Sequence, residues 1–205
     1  TRSAATFKDT MLRALQLLTL FGFPMGTAVA LIASDAVPVL FSEQWLPAVG
    51  PMVLLALAAG AHAIGFASGD IFPALGRPGI LLRLDIVVAT LEIIAFFTLA
   101  HLGLMAVATV HLVSGVGYVL LRLVVANRLV GADLGESWRA MVPALSISVG
   151  MAACAVPVLH LMEPGAVRLT AVIGAGVAGA ALGALVGART ALADVASTVA
   201  AARAK

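Results

Sequence analysis

Residues 80–100 read ILLRLDIVVATLEIIAFFTLA. An apolar run of this length matches a bilayer, because about 20 residues rising 1.5 Å each cover a hydrocarbon core of roughly 30 Å. The run nevertheless contains Asp85 and Glu92, seven residues apart and therefore two helical turns apart on one face. With lipid beginning near Leu81, Glu92 lies ~16 Å deep, about at the midplane. A carboxylate there costs on the order of 3 kcal/mol or more unless it faces protein or water. The helix therefore needs neighbours that offer its acidic face something polar.

Composition generalises this local reading. Of 205 residues 62% are hydrophobic and only 11% charged, with a mean hydropathy of +1.12. Soluble globular domains carry about 25% charged residues, so this chain cannot cover a water-facing surface and is expected to be an integral membrane protein. Its few aromatics and many Ala, Gly, Val and Leu suit close helix packing in lipid. No basic patch with interleaved aromatics points to nucleic acid. The single cysteine, Cys154, excludes an internal disulfide, and the four histidines lack metal-ligand spacing. A phosphate-binding glycine loop and a nucleophile elbow are missing, so the chain is read as a non-enzyme without cofactor or metal. The opening TRSAATFKDT resembles neither an initiator segment nor a signal peptide and suggests a piece of a longer chain.

Read in order, hydropathy predicts six spans. The first covers residues 12–33 and is kinked by Pro24; a loop with Asp35, Glu43 and Trp45 follows over 34–47. The second covers 48–72 with His62 inside, and a Gly/Pro turn over 73–78 leads to the third, 80–100. His101-Leu102-Gly103 permits only a tight hairpin, so the fourth span, 104–126, is the third's antiparallel neighbour. It holds His111 and, near its far end, Arg122. A polar connection over 128–139 is expected on the membrane surface, then a fifth span over 141–161 bent near Pro157, and a sixth over 169–186. The tail, 189–205, is expected as a surface helix. This layout puts 11 of the 12 Lys and Arg residues on one side, leaving only Arg168 opposite. The positive-inside rule makes the basic side cytoplasmic, with both termini inside.

Several residues are candidates for chemistry. Glu92 and Asp85 could bind a cation or proton or touch a polar substrate; the plainer reading is a buried ion pair, with Arg77, Arg83 or Arg122 able to neutralise Asp85, whereas Glu92 has no evident partner nearby in the sequence. His62, in the cytoplasmic half of its span, and His111, in the outer half, could join a proton relay or simply bond a backbone carbonyl. Arg122 is one turn inside the boundary and could snorkel or anchor a phosphate-bearing lipid. Gly179, Gly183 and Gly187 recur every four residues, a stripe suited to close approach of another helix.

Residues 36–45 (AVPVLFSEQW), 51–58 (PMVLLALA) and 74–78 (ALGRP) together resemble the Wzx-type polysaccharide flippases of the MOP superfamily, which also contains the MATE multidrug exporters. Members carry a proline-containing helix, an outer LFG-x-x-W loop and a cytoplasmic A-x-GRP turn; here Ser42 replaces the glycine. The resemblance covers about residues 12–128. It implies a partial MOP-type lobe: four helices of the second lobe over 1–128, a surface connection over 129–140, and two additional helices with the tail over 141–205. It also implies flipping of an undecaprenyl-diphosphate-linked oligosaccharide across a bacterial inner membrane. The expected partners are that lipid-linked oligosaccharide, membrane lipids, the first lobe of the same polypeptide, and polysaccharide polymerase or assembly proteins. A MATE-like drug or cation exporter and a membrane-embedded enzyme acting on polyprenyl phosphate are the alternatives.

Overall fold

A computed structural model describes residues 4–187. The element order is α1 (Ala4–Phe41), a 3-10 turn (Glu43–Ala48), α2 (Val49–Gly69), the one-turn α3 (Ile71–Ala74), α4 (Pro78–Leu99), a second 3-10 turn (Ala100–Leu102), α5 (Leu104–Val130), α6 (Leu134–Leu161) and α7 (Ala166–Gly187). No strand occurs among the described residues. Five segments are long and apolar enough to cross a membrane: Thr6–Phe41, Glu43–Ala74, Leu104–Val130, Leu134–Leu161 and Ala166–Gly187. The chain is thus an all-helical membrane-type protein. Helix α4 is comparable in length but holds Arg83, Asp85 and Glu92 within its 22 residues. The tail over 189–205, expected as a surface helix, lies outside the described residues.

Helix α1 is central. It packs on α2 along one flank and on α6 and α7 along the other; α5 lies on α2, and α4 leans on α5. Leu15, Ile64, Ala67, Val119, Leu123 and Met141 meet where α1, α2, α5 and α6 converge. A second cluster at one end joins Met11, Ile71, Phe72, Ala126 and Val130. The glycine stripe is a seam: a Cβ at Gly179 or Gly183 would run into α6 backbone at Gly150 or Ser146. Glycine is what lets α6 and α7 touch main chain to main chain.

Two connections differ from expectation. Residues 34–41 are the last turns of α1 rather than a loop, despite Pro38. Their inner face buries Asp35, Ala36 and Val37, and this tertiary burial outweighs the local helix-breaking cost of one proline. The polar stretch over 128–139 is mostly helical as well. Helix α5 ends at Gly131 in the left-handed conformation (φ 70°), and α6 starts three residues later on a capping box. There Asp133 accepts from the Gly135 amide (3.1 Å) and Glu136 accepts from the Asp133 amide (2.9 Å). Lys8 on α1 reaches Glu136 at 2.7 Å, which brings the starts of α1 and α6 to the same end of the bundle.

The turn residues explain themselves. Gly76 takes φ 70° and Pro78 sits in the first turn of α4, so the ALGRP stretch is a left-handed turn followed by a helix start that needs no amide donor. Ser42 has φ 83° and ψ 165°, a region that essentially only glycine enters without strain. It occupies the position where the resembled LFG-x-x-W pattern carries Gly.

Candidate functional site

Helices α4 and α5 are joined by the Ala100–Leu102 turn and Gly103, whose φ of 98° closes the reversal. So short a link fixes one antiparallel register along both helices. Glu92 consequently faces His111, and Asp85, seven residues earlier, faces Tyr118, seven residues later. His111 Nδ1 donates to Glu92 Oε1 at 2.7 Å. Tyr118 donates its hydroxyl proton to Asp85 Oδ1. Between the helices lies a cleft of about 500 Å³ walled by Val88, Leu91, Val110, Val113 and Leu121, into which Glu92, Ser114 and Tyr118 project.

A third helix completes the site. The His62 ring of α2 stacks on His111, with centroids 5.9 Å apart and planes 18° from parallel. His62 Nδ1 donates to the Ala58 carbonyl at 2.7 Å. The two rings therefore lie side by side and do not divide between the inner and outer halves of their spans as the residue count suggested; α2 and α5 start level with each other, Gly50 beside Met105 and Gly65 beside Val119. Near the other end, the Arg122 guanidinium lies 5.1 Å from the Tyr118 ring centroid and close over Gly69 and Gly65 of α2. Its Nε is buried without a hydrogen-bond partner, and Asp85 and Asp70 are within electrostatic reach.

All five residues singled out from the sequence, Glu92, Asp85, Arg122, His62 and His111, thus line one strip across α2, α4 and α5. Asp85 is held by a phenol rather than an arginine, and Glu92 by an imidazole. Of the two histidines only His62 takes the plain backbone contact. Tyr118 was missed, although its seven-residue offset from His111 mirrors the Asp85–Glu92 offset. The strip offers a carboxylate with an imidazole for a proton or cation, and a guanidinium with spare donors for an anion. No group of three or more His, Cys, Asp or Glu able to hold a metal occurs among the described residues.

The second site missed in the sequence is a buried ion pair. Arg168, on the first turn of α7, sends Nε to both oxygens of Asp35 (3.0 and 2.9 Å) and Nη2 to Oδ1 (2.9 Å). Its Nη1 donates to the Leu159 and Met162 carbonyls at the end of α6 (3.0 and 3.2 Å). The Gly165 amide adds a bond to Asp35 Oδ1 at 3.2 Å.

Residues 2–50 match the sequence profile of the family described as "Polysaccharide biosynthesis protein". The match spans α1 and the turn after it, less than half of the chain. No curated protein and no solved structure matches.

Proposed function

We propose that this chain is the C-terminal portion of a flippase that moves undecaprenyl-diphosphate-linked oligosaccharide from the inner to the outer leaflet of a bacterial inner membrane. The match over residues 2–50 supports a role in polysaccharide biosynthesis, and the five apolar helices support a membrane setting. In this reading α4 is the sixth span and both termini are cytoplasmic, in keeping with the basic residues gathered on one side. The chain forms part of a MOP-type lobe, with membrane lipids, a preceding lobe and polysaccharide assembly proteins as partners. The two lobes rock to open the cavity to either face, driven by an ion gradient. No bond is made or broken in the substrate.

The observation that carries the reading is the Glu92–His111 pair, a partly exposed acid–base contact whose carboxylate projects into a mostly apolar cleft. A carboxylate that only held helices together at this depth would be sealed away, whereas one that works must reach water or cargo. Arg122, with donors to spare, is the group to steer the diphosphate. Glu92→Gln keeps the shape and removes the charge. Surface polysaccharide carried across the membrane should fall about tenfold or more, the consequence of losing a charge-assisted hydrogen bond in the working state. Membrane insertion should stay intact. Undiminished export by an inserted variant would remove this site from the mechanism.

A further inference from the structure

Most helical hydroxyls in this protein return to their own backbone. Thr19, Ser68, Thr90 and Ser146 donate to a carbonyl three or four residues back at 2.6, 2.9, 2.7 and 2.8 Å, the ordinary way to satisfy such a group inside a helix. Ser148, in the middle of α6, does not. Its Oγ is buried and has no hydrogen-bond partner, although the Ala144 carbonyl stands one turn back in the same helix. A buried hydroxyl without a bond is costly, and alanine would fill the place without that cost.

The surroundings of Ser148 are more polar than its apolar neighbours suggest. It lines a pocket of about 150 Å³ where α1, α2 and α6 meet, with Phe23, Gly26 and Thr27 from α1 and Gly60 from α2. The two glycines put no side chain into this space, and the main chains of α1 and α2 touch beside it: a Cβ at Gly26 would stand 3.0 Å from the Gly60 Cα. Thr27 brings a second hydroxyl that makes no bond within the protein. The Leu20 carbonyl is a third polar group, because Pro24 has no amide hydrogen to offer the carbonyl four residues before it. Leu20 is two turns from Thr27 on the same face of α1, and it packs on Ile147 and Met151, which flank Ser148 along α6. In membrane helices, carbonyls freed by proline are met by neighbouring Ser or Thr side chains or by ordered water.

The choice of occupant follows from these groups. A hydrocarbon chain would leave all of them unmet. No charged residue lines the pocket, so a bare ion would enter uncompensated. A water needs about 10–15 Å³ and two to four polar partners, and this pocket exceeds the first and supplies the second. We propose that the pocket between α1, α2 and α6 is a water site, in which bound water bridges the Ser148 and Thr27 hydroxyls and gives the Leu20 carbonyl the donor that Pro24 withholds. The bridge ties the proline-interrupted stretch of α1 to α6 in mid-bundle, at little cost relative to a direct hydrogen bond. It does not depend on what the protein carries.

The test uses the full-length protein in detergent, unfolded with denaturant. Ser148→Ala removes one hydroxyl without adding bulk, and Thr27→Val removes the other at nearly equal size. Each should lower the folded-to-unfolded ratio about threefold, the average worth of an interhelical hydrogen bond in a membrane protein. The double variant should fall hardly further than either single one, because the second substitution meets a bridge already broken. A ratio that rises or stays unchanged in Ser148→Ala would mean that the hydroxyl had no partner to lose. Additive losses would mean that the two hydroxyls share no water. Either result overturns the proposal. An experimental structure that resolves ordered water should place an oxygen about 2.5–3.0 Å from both hydroxyls; a dry pocket, or an acyl chain in it, overturns the site directly.

Discussion

At one end of the bundle Asp35 meets Arg168, and along its flank Glu92 meets His111. Both are acid–base contacts between helices distant in sequence, yet their surroundings are opposite. The Asp35 side chain is fully buried and Arg168 is 10% exposed; Glu92 and His111 are 21% and 37% exposed. The Asp35–Arg168 pair is saturated, with the guanidinium also capping carbonyls that the end of α6 would otherwise leave open. The Glu92–His111 contact is one bond beside a cleft. The lesson is that hydrogen-bond saturation, more than charge, separates a lock from a switch. A saturated pair cannot accept a proton or a ligand without breaking, and an unsaturated one can.

The same contrast runs through the helices that carry the pairs. Helices α6 and α7 meet along one glycine seam and α1 meets α2 along another, with α1 also packed on α6. Helix α4 has no buried residue along its whole length, and Ile86, Val87, Leu91, Ile94 and Phe97 stand exposed. In lipid, apolar side chains gain little by leaving acyl chains for one another, so polar contacts weigh more in keeping α4 beside α5.

The comparison breaks most visibly at the lock. Asp35→Ala strands a buried guanidinium and should destabilise the folded protein by about 3–5 kcal/mol, measured as a lower midpoint of thermal or denaturant unfolding in detergent. Replacing both partners, Asp35→Leu with Arg168→Leu, should recover much of that loss, because no lone charge remains buried. Equal loss in the single and double variants would mean that the carbonyl caps, not the charge pair, hold this end.

A smaller effect is expected two turns beyond the lock. Ser42 bears a side chain in a backbone region that costs of order 1–3 kcal/mol for a residue other than glycine. Ser42→Gly should therefore stabilise the protein by about 1 kcal/mol, less than the full strain because glycine also loosens the unfolded chain. A neutral or destabilising result would show that the turn relaxes around the serine.

Part of this difference was legible before any coordinates. The Asp85–Glu92 spacing named the acidic face of α4, and the three-residue hairpin implied that α5 would answer it. Carrying the register across that turn leads to His111 and Tyr118 without further information. The lock was harder to read. Counting basic residues left Arg168 alone on its side with three acids, Asp35, Glu43 and Glu163, and nothing in the sequence chose among them. The choice depends on α1 continuing through Pro38, which burial of Ala36 and Val37 decides and local propensity does not. The stacking of His62 on His111 was hidden because a residue count places each Cα along its helix and not the direction in which a long side chain leans.

The smallest stability effects belong to the switch. Interhelical hydrogen bonds in membrane proteins are worth about 0.6 kcal/mol on average. Tyr118→Phe removes the Asp85 bond but keeps the ring beside Arg122, so it should lower stability by about that amount and export by about threefold at most. Glu92→Gln should likewise change the unfolding midpoint by less than about 1 kcal/mol, since glutamine can still accept from His111. Its effect on export should nevertheless exceed that of every other substitution on the strip. The two assays together decide the matter. A large loss of stability in Glu92→Gln would make Glu92 a second lock, and the contrast between the two regions would disappear. A small loss of stability with a large loss of export is the signature of a group retained for its charge, because packing alone would favour an apolar residue at that depth.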